Sequence, residues 1–219
     1  MKKLASISVL ATMIAIFGSQ ALAQSSGSAN FTSSTTACTD VGGLLGGGTT
    51  VTALKTTLHI SSGNGNTVVV RPSAVTGLLT NLSISGFQGS GTKTASAQAS
   101  ITFQVTVTSL SNQGPATVTP SAPVTYDDRF LQISTNLFNV ISGCTIDSPC
   151  FFDLNETTLS AHSFDFVVTG LSAGDYGITV TWTPTMTATA PNQALACVGP
   201  VVLTATQSKI FTQSTGIVF

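Results

Sequence analysis

The stretch His162–Thr183, HSFDFVVTGLSAGDYGITVTWT, decides how the chain is read. Phe164, Phe166 and Val168 alternate with Ser163, Asp165 and Val167; after a short break Tyr176, Ile178, Val180 and Trp182 alternate with Gly177, Thr179 and Thr181. A period of two marks strands, because successive side chains leave a strand on opposite faces. Two strands joined by a tight turn are expected, each turning one apolar row toward a common core.

Working outward, the same rhythm recurs. Leu54, Thr56, Leu58 and Ile60 alternate with Lys55, Thr57 and His59, and Asn64-Gly65 then precedes Val68–Val70. Asn-Gly between apolar runs predicts a hairpin, since both residues accept positive φ, and leaves His59 facing solvent. Leu78 to Ile84 reads as another strand. Ala95 to Thr108 alternates without a fault and exceeds the usual strand length, so a bend or a crossing between sheets is expected. Pro115, Pro120 and Pro123 confine the next segment to an edge or an irregular run, because proline cannot donate to a ladder. A last strand is expected from Val201 to Phe211.

One segment carries a different period. Phe130, Ile133, Leu137 and Ile141 fall on a helical stripe, with Asp127 at the N-cap position and Gly143 at the end. An inserted α-helix over about residues 127–142 is expected, laid across one end of the sheets.

The first 23 residues read as a secretory signal peptide: Lys2 and Lys3, an apolar run from Leu4 to Phe17, then Ala21-Leu22-Ala23 before Gln24. Residues 24–50, rich in Gly, Ser and Thr, read as a flexible leader pinned at Cys38, and 51–219 as a single β-sandwich domain. After signal removal no membrane span is expected. Five basic side chains then remain, Lys55, Arg71, Lys93, Arg129 and Lys209, against eight acidic ones. Scattered cations cannot release phosphate counterions, so nucleic acid is not an expected partner. Charged residues make up 7 % of the chain, so its surface must be Ser, Thr, Asn, Gln and Gly, with little repulsion between copies.

Cys38, Cys144, Cys150 and Cys197 all lie in the exported part, where disulfides form. Spacing does not choose among three connectivities. The preferred one joins Cys144 to Cys150 around a short loop and Cys38 to Cys197 between the N-terminal segment and the last strands. No C-x-x-C occurs, neither histidine stands at zinc-finger spacing, and no metal or cofactor is expected.

Candidate catalytic residues are few. Gly170-Leu171-Ser172-Ala173-Gly174 matches G-x-S-x-G, but a nucleophile elbow needs a helix leaving the turn and a downstream histidine, and neither is present. His162 with Asp165 offers a general base, against the plainer reading of a strand-end histidine. Asp147, Asp153 and Glu156 offer oxygen ligands to calcium, against the plainer reading of a solvated acidic loop.

Leu171, Gly174 and Tyr176 in LSAGDY resemble the tyrosine corner of immunoglobulin-like and fibronectin type III sandwiches, where a Tyr hydroxyl bonds back to upstream backbone at a strand crossover. The resemblance covers about six residues. It implies an all-β, Ig-like antiparallel sandwich and no particular activity. The expected function is that of an exported, secreted or cell-surface, non-enzymatic surface, matrix or adhesion component. Its expected partners are a protein, a polysaccharide or further copies of itself. A secreted hydrolase using His162 and an acid, and a pilin-like fibre subunit, are the alternatives.

Overall fold

A computed structural model describes residues 29–34, 37–40, 50–61, 66–189 and 191–209. Its elements, in chain order, are β1 (Ala29–Ser34), β2 (Ala37–Asp40), β3 (Val51–Ile60), β4 (Asn66–Gly86), β5 (Thr94–Ser109), β6 (Thr117–Thr119) and β7 (Val124–Ser134). A 3-10 turn (Thr135–Val140) follows, then β8 (Cys150–Ser163), β9 (Phe166–Leu171), β10 (Gly174–Ala188) and β11 (Gln193–Lys209).

The strands form two antiparallel sheets. The first runs β1-β11-β4-β9-β6, with β2 also on β11 and β8 also on β4; the second runs β3-β10-β5-β7. Facing apolar rows close between them, as the alternation requires: Leu58, Phe103, Ile178 and Trp182 from the second sheet meet Val70, Leu78, Phe166 and Leu203 from the first. The molecule is an all-β sandwich.

The long central strands are legible in their composition. β4 spends 21 residues in one sheet because its inner row, from Val68 to Ile84, is buried at every second position. β5 neither crosses between sheets nor leaves β10, which it faces from Ser109 to Ala97 without a register shift. A shift against β7 between Ile101 and Thr102 is its one irregularity.

Both expected hairpins are corrected. β9 lies in the first sheet and β10 in the second, so 170–174 carries the chain from one layer to the other. β3 and β4 are likewise in different sheets, and Asn64-Gly65 lies outside the described residues. Alternation reports which side of a strand is buried. It is blind to whether the next strand pairs beside it or packs opposite.

The inserted α-helix over 127–142 is corrected too. Residues 124–134 are strand β7, and only the 3-10 turn is helical, capped by Ser134, whose hydroxyl accepts from the Asn136 amide. Tyr126 is buried, Arg129, Leu131 and Ile133 are half-buried and Phe130 is 57 % exposed, a period of two rather than 3.6. Pairing with β5 supplies the hydrogen bonds that decided between the two periods.

The stretch expected as a flexible leader contributes β1, paired along Val201–Thr206, and β2, paired along Leu195–Val198. Strands this short, in a Ser- and Thr-rich run, give too few alternations to be read; the β11 edge supplies their ladder. The reading of residues 1–23 as a signal peptide lies outside the described residues.

Candidate functional site

The inner row of β4 is not uniformly apolar. Thr76 and Thr80, both fully buried, interrupt Ala74, Leu78 and Leu82. Opposite them the shift between Ile101 and Thr102 acts as a bulge, so that consecutive Tyr126 and Asp127 both turn inward. From β8, whose even-numbered residues face the interior, come Glu156, Ser160 and His162. A polar seam results between the two sheets at their β7–β8 edge.

In the seam the Thr76 hydroxyl donates to Asp127 Oδ2 at 3.1 Å and the Ser160 hydroxyl to the same oxygen at 3.2 Å, while Ser160 Oγ lies 2.7 Å from His162 Nε2. A serine has one proton to give. With Nε2–H of His162 donating to Ser160, Ser160 and Thr76 are both free to donate to the carboxylate, which can only accept. A hydrolytic triad needs the opposite order, with the acid behind the histidine and the serine proton aimed at the imidazole. Acid, serine, histidine is a hydrogen-bond chain that ties β4, β7 and β8 together.

The seam's neighbours are equally committed. Tyr126 donates to the Pro72 carbonyl at 2.7 Å and stacks on Phe103, 4.3 Å between centroids. Burial pushes its phenol well above the ordinary range. Farther along β7, Arg129 is 12 % exposed and approaches Glu156 at 3.8 Å; its Nη1 and the Thr80 hydroxyl are buried with no hydrogen-bond partner.

The expected His162–Asp165 pair does not form. Asp165 is held by Arg71 through both oxygens, at 2.5 and 2.6 Å. Those bonds keep its carboxyl below the usual carboxylate range and the guanidinium above its own. Both groups are about half-exposed, so the pair contributes little to stability. The second histidine, His59, meets Asp175 at 2.7 Å on the exposed side of β3.

Ser172 sits between two strands, as the absence of a following helix predicts. Its amide donates to the Tyr176 hydroxyl at 3.0 Å, four residues on, where the chain changes sheets. Leu171 is buried beside it. Gly174 has φ +136°, a conformation that strains any side chain, and a Cβ there would also displace the Gln113 amide.

The acidic loop is dispersed. Glu156 faces inward to Arg129 while Asp153, three residues earlier, faces out, so strand alternation prevents the two from closing on one ion. Among the described residues no group of three His, Cys, Asp or Glu side chains is placed to hold a metal. Cys144 and Cys150 are bonded to each other, with Cα atoms 5.2 Å apart. Cys197 is also disulfide-bonded, and the residue in register with it on β2 is Cys38.

A hollow under the crossover, lined by Leu58, Val68, Leu171 and Tyr176, holds about 10 Å³, too little for a ligand. A groove of about 370 Å³ at the disulfide end runs past Ser85, Lys93, Thr94, Phe151 and Asn192. Its lining has one cation and neither an acid nor a histidine, so it contains no acid–base pair.

Sequence alone hides the seam, because Asp127 suits the cap of a helix as well as it suits a strand. A signal did exist: in AVTGLLTNL two threonines fall on the same parity as Ala74, Leu78 and Leu82. No protein-family model matches this chain, and no curated protein matches it.

Proposed function

We propose that this chain is an exported, non-enzymatic β-sandwich that serves as a surface, matrix or adhesion component. The observation that carries this reading is the order of the hydrogen-bond chain: Asp127 lies against Ser160 rather than behind His162, so no acid orients the imidazole as the base for that serine. Export rests on the Lys2-Lys3 start, the apolar run and Ala21-Leu22-Ala23, and on cysteines engaged in disulfides. The crossover of Leu171, Gly174 and Tyr176 supports an immunoglobulin-like variety of the sandwich. Proteins and neutral polysaccharides suit the uncharged Ser- and Thr-rich exterior as partners.

Ester and glycoside hydrolysis panels on the wild type, His162→Ala and Ser160→Ala test the reading. No turnover by any of the three is expected. Wild-type turnover abolished by Ser160→Ala would overturn it. Export has its own check: the protein recovered outside the cytoplasm is expected to begin at Gln24.

A further inference from the structure

We infer that β8 pairs with the β8 of a second copy of this chain, antiparallel about a two-fold axis at Asn155. Three observations lead there.

The first is an open edge. β4 carries two strands on one side: β9, whose own outer edge is covered by β6, and β8, which among the described residues pairs with β4 alone. Alternate residues of the fourteen in β8 therefore point backbone donors and acceptors away from β4, with no strand among the described residues to meet them.

The second is the lack of protection. Natural edges are blunted by lysines, prolines, bulges or short length. β8 has no lysine, arginine or proline, and its ladder with β4 runs from Cys150 to Ser163 without a register shift. Glu156 points inward, which leaves Asp153 as the one acidic side chain on its outer face.

The third is symmetry in the sequence of that outer face. Phe151 and Leu159 are 75 % and 79 % exposed, and each stands four residues from Asn155. A two-fold axis normal to the sheet preserves faces, so the partner of residue i is 310 minus i. Phe151 then lies opposite Leu159 of the partner subunit, twice over, and Asp153 lies opposite Thr157 of the partner subunit. No charge meets its like, and two aromatic–aliphatic cross-strand pairs flank an Asn–Asn centre. No other two-fold register sets Phe151 against Leu159.

The interface is one strand pair, at the small end of specific contacts, so dimerisation is concentration-dependent rather than obligate. The contact does not depend on the non-catalytic reading: a dimer with hydrolase activity would sink that reading and leave this one standing.

Sedimentation velocity and cysteine trapping test it on the purified chain. The expected dimer weakens at least tenfold in Phe151→Lys/Leu159→Lys and persists in Leu110→Lys, a control on another exposed apolar residue, just beyond β5. In the paired register the Asn155 Cα atoms are about 4.5–5.5 Å apart, within disulfide reach. The Thr157 Cα atoms are about 14 Å apart, beyond it. Asn155→Cys is therefore expected to give a covalent dimer under mild oxidation and Thr157→Cys none, with Cys144–Cys150 intact by peptide mapping. Equal trapping at both positions, or a dimer indifferent to the lysine pair, would overturn the register. A chain that stays monomeric at millimolar concentration would overturn the proposal, leaving the edge to a foreign strand or to none.

Discussion

The interior of this sandwich is divided in two, and the halves are built differently from the same strands. The larger half, beneath the β9–β10 crossover, gathers Phe103, Tyr126, Phe166, Tyr176 and Trp182 with a dozen and more aliphatic residues. The smaller half, at the disulfide end, has Leu82, Ile84, Ala95, Ala97, Phe138 and Cys144. β4 and β5 run through both. Along β5 the inner row goes from Phe103, Ile101 and Ala99 to Ala97 and Ala95, so the side chains shrink as the strand leaves the first half for the second.

A row of alanines cannot fill the gap between two sheets, and the second half is completed by pieces that are not sheet. Phe138, from the 3-10 turn, plugs it and is 1 % exposed. Gly86 is what lets the ring seat, since a Cβ there would stand 2.7 Å from it. The disulfide of Cys144 and Cys150 then fastens the loop that follows the turn to the start of β8. One half is held by packed area and the other by a plug and a covalent tie.

If that contrast is right, the largest effect belongs to Trp182→Ala, with a loss of about 3–5 kcal/mol in urea unfolding. Trp182 is walled in by strands on both sides and its cavity cannot collapse. Phe138→Ala removes a ring as fully buried, yet its walls are a short turn and a loop that can settle inward, so about 2–3 kcal/mol is expected. Equal losses would show that the halves are held alike.

Next in size comes the tie. Cys144→Ser with Cys150→Ser opens a loop of few residues, for which chain entropy gives about 2 kcal/mol. The place of the effect is more telling than its size. Amide exchange is expected to quicken in Thr135–Val140 and at the start of β8, with Ile178–Trp182 unchanged. Uniform quickening would mean one cooperative core and would break the comparison.

The two halves were unequally legible in the amino-acid order. The first is written in strict alternation, Phe166 to Val168 and Tyr176 to Trp182, so its rows are readable although their connection mimics a hairpin; Phe164, expected in the same row, precedes β9 and is 39 % exposed. A tight turn within a sheet and a crossover between sheets leave the same mark on an alternating sequence. The second half rests on a segment where Phe130, Ile133, Leu137 and Ile141 suit a helical stripe and Leu131 and Ile133 suit a strand. Only the β5 ladder, a contact distant in sequence, separated them. The seam depended on that outcome: Asp127 reaches Thr76 and Ser160 because β7 is a strand with a bulge beside it.

The smallest expected effect lies on the border. Thr80 stands between Leu78 of the first half and Leu82 of the second, in register with Ala194 on one side and Glu156 on the other. Its hydroxyl is buried and has no hydrogen-bond partner. A valine has the same shape without the oxygen, so Thr80→Val removes a desolvated group while joining the two apolar surfaces. A gain of about 1 kcal/mol is expected, read as a higher urea midpoint at unchanged slope. A loss of that size would show the hydroxyl to be bonded within the seam. The border would then be a polar joint that holds the halves together, with Arg129 as its other member, and separate packing of the halves would follow from it.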